Sequence, residues 1–167
     1  GNRLTLGTGS KGLTLPNTLT MDNVSSAIET KNVNLTLGKA LSLTSGSITS
    51  TGGTLSFSSG LTLGTSGALD VTGSTLSVSG ALDLSSGTFS SSDNSSMLDL
   101  QAATTLSSSA PVSFEDVHFN GNVLTLGSAS THLKVNDALT LAGIALETGA
   151  GSLSLSDALA LTDNASL

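Results

Sequence analysis

Asp137 and Asp157 are the first residues to weigh, because each precedes an Ala-Leu pair and they lie twenty positions apart. In a chain that repeats at that interval, the two carboxylates stack ~5 Å apart, and a bound Ca²⁺ would relieve their repulsion. They are the metal candidates of this sequence. The competing reading is a pair of solvated turn residues, favoured because no Gly-Gly-x-Gly-x-Asp repeat of the calcium-binding kind is present.

Glu115 and Asp116 are the next carboxylates with possible chemistry. Glycoside hydrolysis needs two carboxyls facing each other across a sugar groove. Neighbours on a strand point to opposite sides, and at a turn both are simply solvated. The imidazoles are His118 and His132. His118 is the middle of Val117-His118-Phe119 and so faces outward by period two, while His132 sits just before Leu133-Lys134-Val135. Fourteen residues apart, with no cysteine and no obvious third ligand, they read as exposed polar residues rather than a zinc site. Serine is abundant, but no Gly-x-Ser-x-Gly elbow frames a strand-to-helix turn. A uronate lyase would need cations, and the only arginine is Arg3; sugar-stacking Trp and Tyr are absent. The expectation is a protein that is not an enzyme and holds no cofactor.

Composition narrows the partners. The net charge is −7, and four of the five bases (Arg3, Lys11, Lys31, Lys39) precede residue 40, leaving Lys134 alone after them. So few cations cannot neutralise phosphates, so nucleic acid is excluded as a partner. No apolar run approaches the ~20 residues of a membrane span, so no membrane insertion is expected. The first residues show no charged-then-apolar leader, so an export signal would be removed or lie outside this sequence. Cysteine is absent, which removes disulfides and thiolate chemistry without fixing the compartment. Four Asn-x-Ser/Thr sequons (Asn23, Asn34, Asn94, Asn164) are about what chance gives when Ser and Thr make up about a third of the chain.

The elements that would position these residues announce themselves by alternation. Leu4-Thr5-Leu6, Leu13-Thr14-Leu15, Leu35-Thr36-Leu37, Leu61-Thr62-Leu63 and Leu139-Thr140-Leu141 are apolar-polar-apolar triplets, the pattern of half-buried strands. Gly, Ser, Asn and Asp fill the gaps as turn formers. The triplets recur in rows. One row is Leu19, Leu41, Leu61 and Leu82, resumed at Val117, Leu139 and Leu159. A second is Leu13, Leu35, Leu55, Leu76 and Leu98, resumed at Val112, Leu133 and Leu153. A third is Ile28, Ile48, Leu69 and Phe89, then Leu124, Ile144 and Leu167. The step of 14 from Leu98 to Val112 reads as a shortened or distorted turn around Ala102 to Pro111. Met21 to Lys31 is expected to be a lid or an irregular turn, since it lacks a helical apolar stripe.

These rows predict an all-β fold: a right-handed parallel β-solenoid with three short strands per turn of 20–22 residues and about seven to eight turns. Residues 1–167 form one such domain or a segment of a longer repeat array. The antiparallel sandwich is the rival, but the loops are too uniformly short for it. Outward positions then line up as Thr14, Thr36, Ser56, Ser77, Asp99, Ser113, Lys134 and Ser154, and as Thr20, Ser42, Thr62 and Asp83. The interruption by Asp and Lys marks solubilising decoration rather than an ice-binding threonine rank.

The runs Gly38-Lys39-Ala40-Leu41-Ser42-Leu43, Gly67-Ala68-Leu69-Asp70-Val71, Gly80-Ala81-Leu82-Asp83-Leu84 and Asp137-Ala138-Leu139-Thr140-Leu141 carry a resemblance. Their style is similar to the right-handed β-helix repeats of large secreted bacterial surface proteins, namely autotransporter passengers and filamentous-haemagglutinin-like adhesins. The resemblance covers nearly the whole chain in repeat style and transfers no functional residue. It implies a secreted or cell-surface location and a structural role, as the stalk of an adhesin or the subunit of a fibre or filament. The alternative is a ligand-binding surface solenoid for ice or glycan, and after it a polysaccharide-active enzyme. The expected partners are a longer parent chain or further copies joined end to end, with the receptor or glycan unspecified. Arg3 and Lys11 at one end oppose Asp157 and Asp163 at the other, which favours a head-to-tail contact.

Overall fold

The structure is a computed structural model that describes residues 2–92, 94–128, 130–142 and 146–162. Every paired strand is parallel, no described residue is helical, and the sheets stack as a β-solenoid of about seven turns. Three faces surround one leucine-rich core.

The first face stacks Leu13–Leu15, Leu35–Leu37, Thr54–Phe57, Thr75–Val78, Met97–Leu100 and Asp116–His118 in that order. The second contains the opening residues of Leu41–Thr51 and Leu61–Asp70, then Leu82–Leu84, Thr104–Ser108, Leu124–Leu126 and Leu146–Glu147. The third begins with Arg3–Leu6, Ala27–Lys31, the closing residues of the two long strands and Thr88–Ser90. It resumes with Pro111–Phe114, His132–Val135 and Ser152–Leu155. Leu41–Thr51 and Leu61–Asp70 run around a corner as single strands, with a register shift between Leu43 and Ser45. In those two rungs two of the three expected short strands are one. The segment expected as a lid or an irregular turn is a turn closed by Ser26 N–H donating to Asn23 O (2.9 Å), followed by the strand Ala27–Lys31.

Alternation explains the packing. In Leu61-Thr62-Leu63 the leucines are buried and the threonine is exposed, and the same holds for Leu41-Ser42-Leu43. Each rung stacks leucine on leucine ~4.8 Å above the last. Each buried side chain contributes ~1.5–3 kcal/mol. A single rung cannot shield its own leucines, so stability accumulates with the number of rungs.

Most of the rows read from the sequence hold within each half of the chain. The exceptions are Leu19, which lies in no strand, Val117, which pairs with Leu98 and not with Leu139, and Leu124, which stacks on Leu146 where Ile144 was expected. Leu13, Leu35, Leu55, Leu76 and Leu98 stack in register. So do Ile28, Ile48, Leu69 and Phe89, and then Val112, Leu133 and Leu153. The joins between halves are different. Leu98 stacks on Val117, not on Val112. Leu82 stacks on Leu106, which in turn meets Leu126. Leu124 lies between Thr104 and Leu146 on the second face. The strand beginning at Pro111 sits over the row of Phe89, with the Phe89 and Phe114 ring centroids 6.2 Å apart and Ser91 Oγ donating to Ser113 O (2.5 Å). The turn here is therefore distorted rather than missing residues: Thr104–Ser108 is a strand of the second face, with Leu106 set 24 residues after its partner Leu82. The outward row changes accordingly, because Asp99 is followed by His118, while Ser113, Lys134 and Ser154 form a row of their own. Leu19 packs half-buried against the core outside any strand. Ile144, Asp163, Asn164 and Leu167 lie outside the described residues.

Candidate functional site

Glu115, Asp116 and His118 and four of the hollows among the described residues lie on or beside the first face. Its outward positions run Thr14, Thr36, Ser56, Ser77, Asp99 and His118, one per rung. A second column beside it runs Thr54, Thr75, Met97 and Asp116. Four hollows of about 480, 450, 430 and 350 Å³ lie along this surface. The first and fourth meet at Thr36 and the second and third at Asp116, and we call this dimpled surface the trough.

The trough is polar, and its charge is concentrated at one end. Thr36, Ser56, Ser58, Ser77, Ser79 and Gln101 line its middle hollow, with Phe57 beneath. Asp99 accepts hydrogen bonds from Gln101 Nε2 (2.6 Å) and Asn120 Nδ2 (2.6 Å), so both carboxylate oxygens are occupied and the two amides are fixed over the row. Ser77 is 7% exposed. Among the described residues its hydroxyl has no hydrogen-bond partner. No fully buried side-chain oxygen or nitrogen lacks a partner among those residues, so the open side of Ser77 Oγ faces the hollow.

Glu115, Asp116 and Asp137 line one hollow, with Thr54, Thr75 and Met97. Glu115 stands at the corner between two strands rather than inside one, which is why it shares a cleft with its neighbour Asp116. Asp116 and His118, two apart on a strand and hence on the same side, bring Oδ2 and Nε2 to 2.8 Å of each other. His118 is exposed, as its place in the triplet requires. His132 opens a strand of the third face, where its Nδ1 meets Ser152 Oγ at 2.8 Å. The two imidazoles therefore belong to different faces.

Asp137 and Asp157 are both exposed and precede the paired strands Leu139–Ala142 and Leu159–Thr162. Each caps its own turn, accepting from Ala138 N (2.8 Å) and Ala158 N (2.7 Å). No group of three or more His, Asp or Glu converges among the described residues. Local amide bonds account for one oxygen of each aspartate. Asn23 and Asn34 are likewise exposed and tied to backbone amides, of Ser25 (2.8 Å) and Thr54 (2.9 Å). Arg3 is ion-paired with Glu29 across the first two rungs of the third face.

One constellation has no counterpart in the sequence reading: hydroxyls that face inward. Thr30, Ser50, Ser74 and Ser96 are 0–3% exposed. Thr30 Oγ1 and Ser74 Oγ both donate to Ser50 Oγ (2.8 and 2.9 Å), and Ser96 Oγ donates to Val71 O (3.0 Å). Ser74 Oγ also accepts from Gly52 N (2.8 Å), and Ser96 Oγ from Ser92 N (2.8 Å). The ladder satisfies backbone groups where the chain turns a corner and cannot continue its sheet bonds. Ser50→Ala is expected to cost about 1–3 kcal/mol, the penalty for stranding buried polar partners. Urea unfolding of the variant checks this, and Ser58→Ala on the exposed side serves as the neutral reference.

The fold and site define a repeat protein of the β-solenoid class with one troughed face. Comparison with family models, curated proteins and solved structures finds no match for this chain.

Proposed function

We propose that this chain is a structural segment of an extracellular or cell-surface protein, a stalk or fibre element rather than a catalyst. The observation that carries the reading is the continuous stack of parallel ladders around one leucine core along a single axis. Such a stack gains stiffness and stability by adding rungs, which suits a spacer. About seven rungs at ~4.8 Å give a rod ~35 Å long. The acidic, Ser/Thr-rich surface and the repeat style shared with secreted bacterial surface proteins support the location. The recess at Ser77 and the Asp99–His118 interruption speak against an ice-binding face, which needs a flat and uniform rank.

The outermost described rungs carry the same leucine columns as the middle, with Leu4 42% and Leu161 48% exposed. Unpaired rungs are templates for further strands, supplied by flanking chain or by another copy. Light scattering of the isolated chain is expected to show concentration-dependent, head-to-tail growth that weakens with salt. A strictly monomeric chain at high concentration leaves flanking sequence as the only continuation. Labelling of intact cells with an impermeant reagent tests the location, and a signal confined to lysed cells refutes it.

A further inference from the structure

We infer that the middle of the first-face trough is a binding site for a neutral, extended glycan. This goes beyond the structural role, which does not require any ligand. The carrying observation is Ser77, a residue 7% exposed whose hydroxyl lines a hollow of about 350 Å³ and has no hydrogen-bond partner among the described residues. A strand surface kept only for solubility leaves its hydroxyls in bulk water, as Thr62 does on the second face. Here a recessed hydroxyl stands ready for a partner that brings its own donors and acceptors.

The chemistry of the lining selects the ligand. Ser56, Ser77, Ser79 and Gln101 offer uncharged donors and acceptors, and the only apolar side chain is Phe57. Asp99 follows Ser77 in the outward row and holds Gln101 of the lining, so its carboxylate disfavours an anionic ligand beside the hollow. An anionic glycan also meets a chain of net charge −7. A lipid or aromatic ligand would find too little apolar surface. Sugar hydroxyls match the lining, and an extended chain along the axis meets the next hollow in turn. No Trp or Tyr supplies stacking, so affinity comes from many modest hydrogen bonds.

The test is a titration of the isotopically labelled chain with cellohexaose, xylohexaose and mannohexaose, followed by NMR, with hexagalacturonate as the anionic counter-probe. At least one neutral oligomer is expected to bind in the millimolar range or tighter, with shifts at Ser56, Ser77 and Gln101, while hexagalacturonate leaves these signals unmoved. Ser77→Ala is expected to weaken binding about three- to tenfold, the span of one hydrogen bond. Thr62→Ala, on another face, is expected to leave it unchanged. Circular dichroism confirms that both variants stay folded. Absence of binding by all three neutral oligomers overturns the proposal, as do shifts that map elsewhere or equal affinities for the two variants.

Discussion

Replacing Leu63 with Asp is expected to abolish cooperative folding, whereas replacing its neighbour Thr62 with Asp leaves the chain folded. Leu63 is 1% exposed and stacked on Leu43 in the leucine core. An unpaired charge there costs far more than the ~4–5 kcal/mol that marks an exceptional substitution. Thr62 is exposed, between Ser42 and Asp83 on adjacent rungs. Asp83 is held by Ser85 N (3.0 Å) and Ser85 Oγ (2.5 Å), so an aspartate already lives at that address one rung on. The new charge beside it adds repulsion of about 1 kcal/mol or less at the surface. Thermal melts by circular dichroism separate the two, and equal loss would reverse the inward-outward assignment of the whole row.

Gly67→Ala is expected to be the next most damaging change, at about 3 kcal/mol or more. A Cβ at Gly67 would lie 1.9 Å from Leu43 O and 3.0 Å from Leu43 C. Both atoms are backbone of the strand Leu41–Thr51, which is paired with Leu61–Asp70 on both sides of this point and, beyond it at Ser47–Thr51, with Ala27–Lys31. Neither partner can retreat without opening a ladder. Gly73→Ala is a different case: its φ of +75° strains any side chain, but the nearest atom is Ser95 Oγ at 3.9 Å. The cost there is about 1–2 kcal/mol. Gly7→Ala meets nothing within 4 Å and is expected to be neutral or slightly stabilising. Urea midpoints in the order Gly73 below Gly7, and Gly67 below both, are the expected result. Equal midpoints for Gly67 and Gly73 would show that the corner yields.

Much of this fold is legible in the sequence because strand alternation and rung spacing are both written in leucine. The stacks from Leu13 to Leu98 and from Val112 to Leu153 follow from counting alone. The joins between them do not, since one Leu-x-Leu triplet is physically interchangeable with another and spacing cannot tell which column continues. Only the packing of Phe89 on Phe114 and of Leu98 on Val117 decides it. The inward hydroxyls escaped for a related reason. Serine reads as outward in any polarity pattern, and what turns Ser50 and Ser74 inside is the need of unpaired amides at a corner, visible only once the corner exists. Of the residues first singled out for chemistry, Asp116 and His118 meet each other, while Asp137 and Asp157 cap their own turns. Ser77 stood in the outward row from the start, but its seclusion is a property of the neighbouring rungs.

A ladder of interchangeable rungs has an address problem. Sliding the chain by one whole turn exchanges leucine for leucine, and the displaced form competes closely with the native one. The passage across the middle removes this ambiguity. From Leu82 to Leu106 the chain takes 24 residues to climb one rung, and from Leu98 to Val117 it takes 19, where its neighbours take 20 to 22. A slipped chain would lay a long loop on a short one there, with Phe114 seated away from Phe89. The irregular stretch thus acts as a datum mark, from which every other turn is counted outward in both directions.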